Sequence, residues 1–99
     1  MTRQVPPVTP GRILADDWLT PLGISQYALA KAIGVPARRI NEIVLGKRAI
    51  TADTAVRLAA FFGTDAQSWM NLQTRYDTEL AREQLSDVLR TIKPLAARA

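Results

Sequence analysis

The sequence predicts an all-α fold, a single small domain of five helices of which the last is long. Apolar residues recur at spacings of three and four along most of the chain, which is the pattern of helices that bury one face. Glycine or proline separates these apolar stretches, at positions where helices commonly begin or end. Because the chain has 99 residues and 47% of them are hydrophobic, we expect one core and no second one.

The first helix is predicted to begin with Thr9 as its N-cap and Pro10 at its first helical position, and to stop at Pro21 and Gly23. Its apolar residues are Ile13, Leu14, Leu19 and Trp18, and the last is expected in the core. Residues 1–9 lack apolar periodicity and are expected to form a mobile arm.

Residues 26–45 predict two short helices joined by a tight turn, which is the arrangement of a helix-turn-helix. Gly34 can adopt the positive φ that the turn needs, and Val35 is expected to fill the corner. Ser25 is expected to cap the first of these helices, and Pro36 to take the first position of the second. The residues expected on their facing sides are Leu29, Ala30, Ile33, Ile40, Ile43 and Val44.

The outer face of the second helix of this motif is predicted to read DNA bases in a major groove. Arginine donates to guanine edges and asparagine pairs with adenine edges, so Arg38 and Asn41 are the first candidates. Four cations stand against one acid between Pro36 and Arg48, which concentrates most of the net charge of +4 in one stretch. A basic cluster is often only a solubilising face. The residues predicted to point outward are Ala37, Arg38, Asn41, Glu42 and Leu45, with Arg39 on the flank.

Contacts to the DNA backbone are predicted on either side of that face. Gln26 and Tyr27 lie at the positive end of the first helix of the motif, where backbone amides attract phosphate. The Tyr27 ring could equally pack against the protein. Lys47 and Arg48 follow the second helix and are expected to reach phosphates, although they could instead complement the helix dipole.

The remaining two helices are predicted to complete the core. The fourth helix is expected to begin with Thr51 as its cap, and its apolar stripe consists of Ala55, Val56, Leu58, Ala59 and Phe62. The fifth begins at Thr64, which forms a T-x-x-Q capping box with Gln67. No glycine or proline occurs between Asp65 and Pro94, so this helix is predicted to be unbroken and too long to bury its far half on the domain.

The composition excludes several classes of function. Cysteine and histidine are both absent, which removes disulfides, thiolate nucleophiles and Ser-His or Cys-His catalysis. Asp16 and Asp17 are adjacent and diverge by about 100° on a helix, so they cannot converge on one metal. We therefore predict no enzyme activity, cofactor or metal. The chain has no long apolar run and no signal-peptide pattern, so a cytoplasmic protein without a membrane span is expected.

The sequence also resembles a known family. Residues 25–48 contain Ser-Gln-x-x-Leu-Ala-x-x-x-Gly-Val-Pro-x-x-x-Ile and then Gly-Lys-Arg, which resembles the Cro/phage-repressor class, or XRE family. A narrower resemblance is to the HigA antitoxins and the related VapI proteins of type II toxin–antitoxin modules. It covers residues 9–79 and is carried by PGRIL (10–14), by 21–64 and by WMNLQTRYD (69–77). Arg12 departs from it, because the family commonly has an acid there to complete a capping box with Thr9.

The resemblance implies a Cro/repressor-like five-helix fold that dimerises and binds a palindromic operator in its own promoter. It also implies a partner toxin, a HigB protein of the RNA-cleaving RelE type. By position, it places Ala37, Arg38, Asn41 and Glu42 on the face that contacts bases, with Arg39 at its edge, and assigns DNA-backbone contact to Gln26, Lys47 and Arg48. From their places beside that face, Tyr27 and Arg39 are also expected to contact the DNA backbone. The helix-turn-helix domain is expected to span residues 10–80, with a C-terminal extension over 81–99. The dimer contact is expected at the end of the fifth helix.

Two other functions remain compatible with the sequence. A stand-alone XRE-family regulator would have the same DNA-binding features and no toxin. A toxin-binding module could retain the helix-turn-helix as scaffold only, but such a scaffold has no reason to present a basic face at Arg38, Arg39 and Asn41.

Overall fold

The computed structural model describes residues 7–95, which form helices and no strand. The helices are α1 (Pro10–Ile13), α2 (Thr20–Leu22), α3 (Gln26–Ile33), α4 (Ala37–Val44), α5 (Ala52–Phe62), α6 (Ala66–Gln84) and α7 (Ser86–Leu89), and a π-helical segment (Leu14–Leu19) joins α1 to α2. The predicted all-α fold class is confirmed, and the predicted helix-turn-helix corresponds to α3 and α4. Of the predicted arm, residues 1–6 lie outside the described residues, and residues 7–9 have no regular secondary structure.

The start of α1 agrees with the sequence prediction. The Thr9 hydroxyl accepts a hydrogen bond of 3.1 Å from the backbone N–H of Arg12, and Pro10 is the first helical residue. The Arg12 side chain turns the other way along the helix and forms an ion pair with Asp16 at 3.3 Å. The cap therefore forms without the reciprocal acid of a capping box.

The predicted stop at Pro21 is wrong, because this proline lies inside α2. Proline in an α-helix crowds the carbonyl four residues before it. The π-helical segment lies in front of Pro21, and at its end the Thr20 N–H bonds to the carbonyl of Ala15, five residues before it. This wider turn gives the ring room, so the helix continues to Gly23, which ends it with a φ of 68°.

The turn between α3 and α4 forms as predicted, with one shift in position. Ser25 caps α3 by accepting a bond of 3.0 Å from the Ala28 N–H. Gly34 has a φ of 74°, and Val35 is buried in the corner behind it. Pro36 is the N-cap of α4 and not its first residue, because its ψ of 143° keeps it extended.

The core lies where the π-helical segment, α3, α4, α5 and the start of α6 meet. Its buried members are Leu14, Leu19, Leu29, Ala30, Ile33, Val35, Ile40, Ile43, Ile50, Ala55, Leu58 and Trp69. Trp18 packs against this core as expected, but remains partly exposed at its edge. Its ring centroid lies 4.9 Å from that of Phe62 and 5.5 Å from that of Trp69.

Helix α5 buries a narrower face than the sequence predicts. Ala55 and Leu58 are fully buried, whereas Val56 is 60% exposed, because it points roughly 100° away from its neighbour. Thr51 is the N-cap residue, but within the described residues its side chain makes no capping hydrogen bond.

The capping box predicted at the start of α6 is wrong. The Thr64 hydroxyl accepts a hydrogen bond of 2.8 Å from the indole N–H of Trp69, which occupies it. Asp65 is the N-cap residue instead, and the amide of Gln67 donates to Asn71 at 3.0 Å. The Thr64 hydroxyl therefore accepts from the buried Trp69 N–H and not from a backbone N–H of the first turn of α6.

Glycine allows α1 to approach the end of α4 closely. A Cβ added to Gly11 would lie 1.7 Å from the carbonyl oxygen of Ile43 and 2.9 Å from Cα of Val44. No side chain fits in that gap, so only glycine permits this contact. Helix α1 therefore helps to position the C-terminal half of α4.

The unbroken helix predicted from Asp65 to Pro94 is also wrong. Helix α6 ends at Gln84, and Leu85 breaks it with φ −99° and ψ 11° before α7 begins. All residues from Leu85 to Leu95 are exposed, so no packing supports a continuous helix there. A helix without tertiary contacts is only marginally stable in water. No helix within residues 7–95 is both long and apolar enough to cross a membrane.

Candidate nucleic-acid interface

Helix α4 has one buried face and one open face. Ile40 and Ile43 are fully buried, whereas the Arg38 side chain is 85% exposed. Asn41 and Leu45 are also exposed on this open face. The helix therefore presents polar side chains outward while two isoleucines attach it to the core.

Glu42 joins the open face of α4 to the loop that follows it. Its carboxylate accepts from Nε of Arg38 at 3.0 Å through one oxygen, and from Nε and Nη2 of Arg48 at 2.8 Å through the other. These hydrogen bonds, that of Arg48 first, hold the pKa of Glu42 below its ordinary value. The Glu42 side chain is ionised at neutral pH and has both oxygens engaged.

Arg39 lies on the flank of α4 and contacts α5. Its Nη1 donates to the carboxylate of Asp53 at 3.0 Å, and its side chain is only 29% exposed. The same oxygen of Asp53 accepts from Nε of Arg57 at 2.9 Å. The bond from Arg57 is the main reason that the pKa of Asp53 is lowered, and Arg39 adds to it. Arg39 is thus less open to solvent than the sequence suggests.

The first residue of α3 contacts the open face of α4. The side-chain amide of Asn41 donates to Oε1 of Gln26 at 3.2 Å. Tyr27 beside it is 65% exposed, and the Lys31 ammonium lies 6.0 Å from its ring centroid. The side-chain amide of Asn41, which is predicted to read a base, therefore lies beside that of Gln26, which is predicted to bind a phosphate.

The loop after α4 carries Lys47 and Arg48, and both are exposed. Its backbone turns at Gly46, which has a φ of 78°, and the Lys47 N–H bonds back to the Glu42 carbonyl at 2.8 Å. Farther along, the buried side chain of Gln73 accepts a bond of 2.8 Å from the Ile50 N–H. Helix α6 thereby holds the end of this loop in place.

Three supporting residues escaped the sequence reasoning. Arg57 donates from Nη1 to the carbonyl of Ile33 at 2.7 Å and so completes the C-terminal end of α3. Asp53 positions Arg39, and Gln73 anchors the loop. The spacing of Asp53 and Arg57 by four residues suggests their ion pair. Nothing in the sequence indicates that either would reach across to α3 or α4.

The nine predicted site residues therefore lie at three neighbouring places. Five belong to α4, two begin α3 and two lie in the following loop: Ala37, Arg38, Arg39, Asn41 and Glu42; Gln26 and Tyr27; Lys47 and Arg48. Side-chain hydrogen bonds connect Gln26 to Asn41, and Arg38 and Arg48 to Glu42. Arg39 is directed to α5 instead. Their contacts with DNA remain predictions.

A short helix pair with a buried junction and an open second helix defines a helix-turn-helix protein. The helix-turn-helix family matches residues 17–69 of the chain. The virulence-associated protein I of Dichelobacter nodosus is 51% identical over 97% of this chain and 88% of its own length. The antitoxin HigA-1 of Vibrio cholerae is 34% identical over 90% of this chain and 84% of its own length.

A solved structure agrees with these sequence relatives. The structure of Pseudomonas aeruginosa antitoxin HigA with the higBA promoter superimposes with a TM-score of 0.85 at 43% identity, covering 90% of this chain and 98% of that one. The chain belongs to the HigA/VapI family of XRE-type helix-turn-helix proteins, as the resemblance in its sequence implied. This family is a non-enzymatic class of DNA-binding regulators and antitoxins.

Proposed function

We propose that the chain is a HigA-type antitoxin that binds operator DNA as a dimer and represses its own promoter. The observation that carries this proposal is the open face of α4, on which Arg38 and Asn41 are exposed beside a cationic loop. Arginine and asparagine are the side chains that pair with guanine and adenine in a major groove. The Pseudomonas aeruginosa relative, at 43% identity, was solved with the higBA promoter.

The roles of the individual residues follow from where they lie. Arg38 and Asn41 are the principal base contacts, and Ala37 lies at the start of the same helix where a base edge or methyl group can approach. Gln26 at the start of α3 receives a phosphate on one side of the groove, and Lys47 and Arg48 receive phosphates on the other. Tyr27 and Arg39 lie at the margins of this surface, where they contact the sugar-phosphate backbone of the DNA.

The dimer places two copies of α4 in successive major grooves, about 34 Å apart, so the operator is a short inverted repeat. An apolar surface suited to the dimer contact lies at the C-terminal end of the described residues. Its members are Leu85, Val88, Leu89, Ile92 and Leu95, which are 45%, 51%, 42%, 60% and 77% exposed. Of these, Val88 and Leu89 lie on α7, Leu85 lies at the break before it, and Ile92 and Leu95 follow it.

Light scattering tests this dimer contact. A variant that ends at Glu79 should be a monomer at a concentration where the full chain is a dimer. If the shortened protein stays dimeric, the contact belongs to the helical body instead.

The protein partner of an antitoxin of this type is a HigB-like toxin, an RNA-cleaving protein of the RelE type. A stand-alone regulator would present the same α4 face, so only the toxin distinguishes the two functions. The product of an adjoining small basic reading frame is the candidate toxin. Co-expression of the chain with it should restore the growth that the toxin alone inhibits, and the two proteins should purify as a complex. A regulator acting on its own promoter works in the cytoplasm, where the DNA is.

Gel retardation on the DNA upstream of the gene tests the DNA-binding part of the proposal. The full chain should retain this DNA at concentrations at which a shuffled duplex of equal length stays free. Replacing Arg38 and Asn41 together by alanine should abolish the preference for the upstream DNA over the shuffled duplex. Absence of retention at low salt by a folded dimer would favour a toxin-binding module in which the helix-turn-helix is only a scaffold.

A further inference from the structure

The contacts of Glu42 suggest a role other than base contact. Its two carboxylate oxygens are occupied, one by Arg38 and one by Arg48. A carboxylate reads DNA by accepting from the amino group of cytosine, and here a cytosine would have to share an oxygen that already accepts from an arginine. Its side chain is also less exposed than the arginine beside it, at 23% against 85% for Arg38.

The hydrogen bond from Arg38 determines which of its donors remain available. Arg38 uses Nε for Glu42, and within the described residues neither of its Nη atoms has a hydrogen-bond partner. These two terminal groups form the end edge of the planar guanidinium, which is a different edge from the one whose Nε–H bonds to the carboxylate. Such an edge matches the O6 and N7 atoms of guanine in a bidentate arrangement.

The second arginine is restrained in a different manner. Arg48 binds the other carboxylate oxygen through both Nε and Nη2, which leaves Nη1 for another acceptor. A phosphate on any DNA attracts an arginine regardless of sequence. Glu42 opposes that attraction for both arginines, because its negative charge lies 3.0 Å from Nε of Arg38 and 2.8 Å from Nε of Arg48 and repels a phosphate that approaches either guanidinium.

We infer that Glu42 is a specificity-determining positioning residue, which orients the Nη edge of Arg38 toward guanine and restrains Arg38 and Arg48 from indiscriminate phosphate binding. This inference rests on the proposed DNA-binding function and assigns a separate role within it. Operator DNA gains the bidentate guanine contact without breaking the Arg38–Glu42 bond. Other DNA lacks the guanine at that position and gains only the phosphate contacts.

The test compares Glu42→Gln with the wild type on two duplexes, the DNA upstream of the gene and a shuffled sequence of equal length. The variant should bind the shuffled duplex more tightly and with a steeper salt dependence, because one negative charge is lost and two cations are released. The ratio of the two affinities should fall roughly 5- to 150-fold, the range for one bidentate base contact. Asp16→Asn is the matched control, because it removes the same charge and an exposed ion pair with Arg12.

Selection of binding sites from random DNA identifies the base concerned. Glu42→Gln and Arg38→Ala should weaken the preference for guanine at the same position of each half-site, and the double variant should lose no more than Arg38→Ala alone. A change at a different position, or additive losses, would refute the inference. An unaltered affinity ratio in Glu42→Gln, with the wild type selective, would refute it as well and leave the proposed function intact.

A wild-type protein that does not distinguish the two duplexes would overturn both the proposed function and this inference. A measurement without DNA separates the positioning role from folding. In the wild type, the Nε–H proton of Arg38 should exchange slowly with solvent in NMR spectra, and in Glu42→Gln it should exchange faster while the unfolding midpoint changes little. Equal exchange in the two proteins would contradict the positioning role.

Discussion

The side-chain amide of Asn41 on α4 donates a hydrogen bond of 3.2 Å to Oε1 of Gln26, the first residue of α3. The contact joins the residue proposed to read a base to the one proposed to hold a phosphate. With its oxygen engaged by Asn41, Gln26 keeps its N–H groups for an acceptor outside the protein. The bond also restricts the rotamers of Asn41 before DNA arrives.

We expect Asn41→Ala to weaken operator binding by about 1–3 kcal/mol and to relax base preference at one position of each half-site. Gln26→Ala should weaken binding to all sequences and also lose part of the same preference, because Asn41 is no longer oriented. A double-mutant cycle should give a coupling energy of about 0.5 kcal/mol or more. Additive effects in fluorescence-anisotropy titrations would mean that the two amides act independently.

The contact of Gly11 with α4 predicts a substitution that affects DNA binding from outside the interface. Gly11→Ala would force a methyl group against the Ile43 carbonyl, so we expect a loss of about 1–3 kcal/mol in the free energy of unfolding. Operator affinity should fall as well, because α4 must shift to relieve the overlap.

Gly23→Ala is the control for that experiment. Gly23 has a φ of 68° and no atoms within 4 Å of the added Cβ, so alanine costs roughly 1–2 kcal/mol of backbone strain there and does not touch α4. Chemical denaturation and DNA titration should separate the two variants. Equal operator affinities would argue against α1 as a support of α4.

Arg57 is expected to stabilise the helix-turn-helix from α5. Arg57→Ala removes the donor to the Ile33 carbonyl at the end of α3, and we expect a loss of about 1–3 kcal/mol in the free energy of unfolding. Arg75→Ala, which breaks an exposed ion pair with Glu79 on α6, should change it by less than about 1 kcal/mol. Thermal unfolding of the two variants side by side provides the comparison, and equal losses would count against a capping role.

Lys47 is expected to contribute to affinity without contributing to sequence preference. Lys47→Ala should weaken binding to operator and shuffled DNA alike and reduce the slope of log K against log salt by about one. Arg75→Ala removes the same charge on α6 and should leave the slope as it is. A slope that does not change in Lys47→Ala would remove this residue from the phosphate contacts.

Asp53 is expected to contribute to the fall in the free energy of unfolding at acidic pH. Its pKa in the folded protein is lowered by Arg57 and Arg39, so the ion pairs stabilise the fold above the pKa of the unfolded state. This contribution is lost as the pH falls through the lower, folded-state pKa. Between neutral pH and about pH 3, the free energy of unfolding measured by urea titration should therefore fall less in Asp53→Asn than in the wild type. Parallel profiles for the two proteins would show that Asp53 makes no such contribution.

Local signals in the sequence predicted the helix-turn-helix well. Ser25 and Gly34 act within a few residues of their own position, so their cap and turn could be read directly. The orientation of α4 also followed from spacing, because Ile40 and Ile43 must share a face that excludes Arg38 and Asn41.

Contacts between distant residues could not be predicted in this way. Thr64 has the sequence context of a cap, and only the fold brings the Trp69 indole to its hydroxyl. Pro21 looks like a stop signal until the π-helical segment makes room for it. Arg39 appears free in the sequence, because its partner Asp53 is fourteen residues away on another helix.

Gln73 illustrates what one such distant contact accomplishes. Its side-chain oxygen accepts from the Ile50 N–H, while its nitrogen donates to Asp77 at 2.9 Å. Apolar side chains tolerate sliding along a neighbour, but a directional bond with both ends engaged does not. A slip of one residue along α6 would set Leu72 or Thr74 opposite that N–H, so this one glutamine sets the axial register of α6 against the half of the molecule that carries α3 and α4.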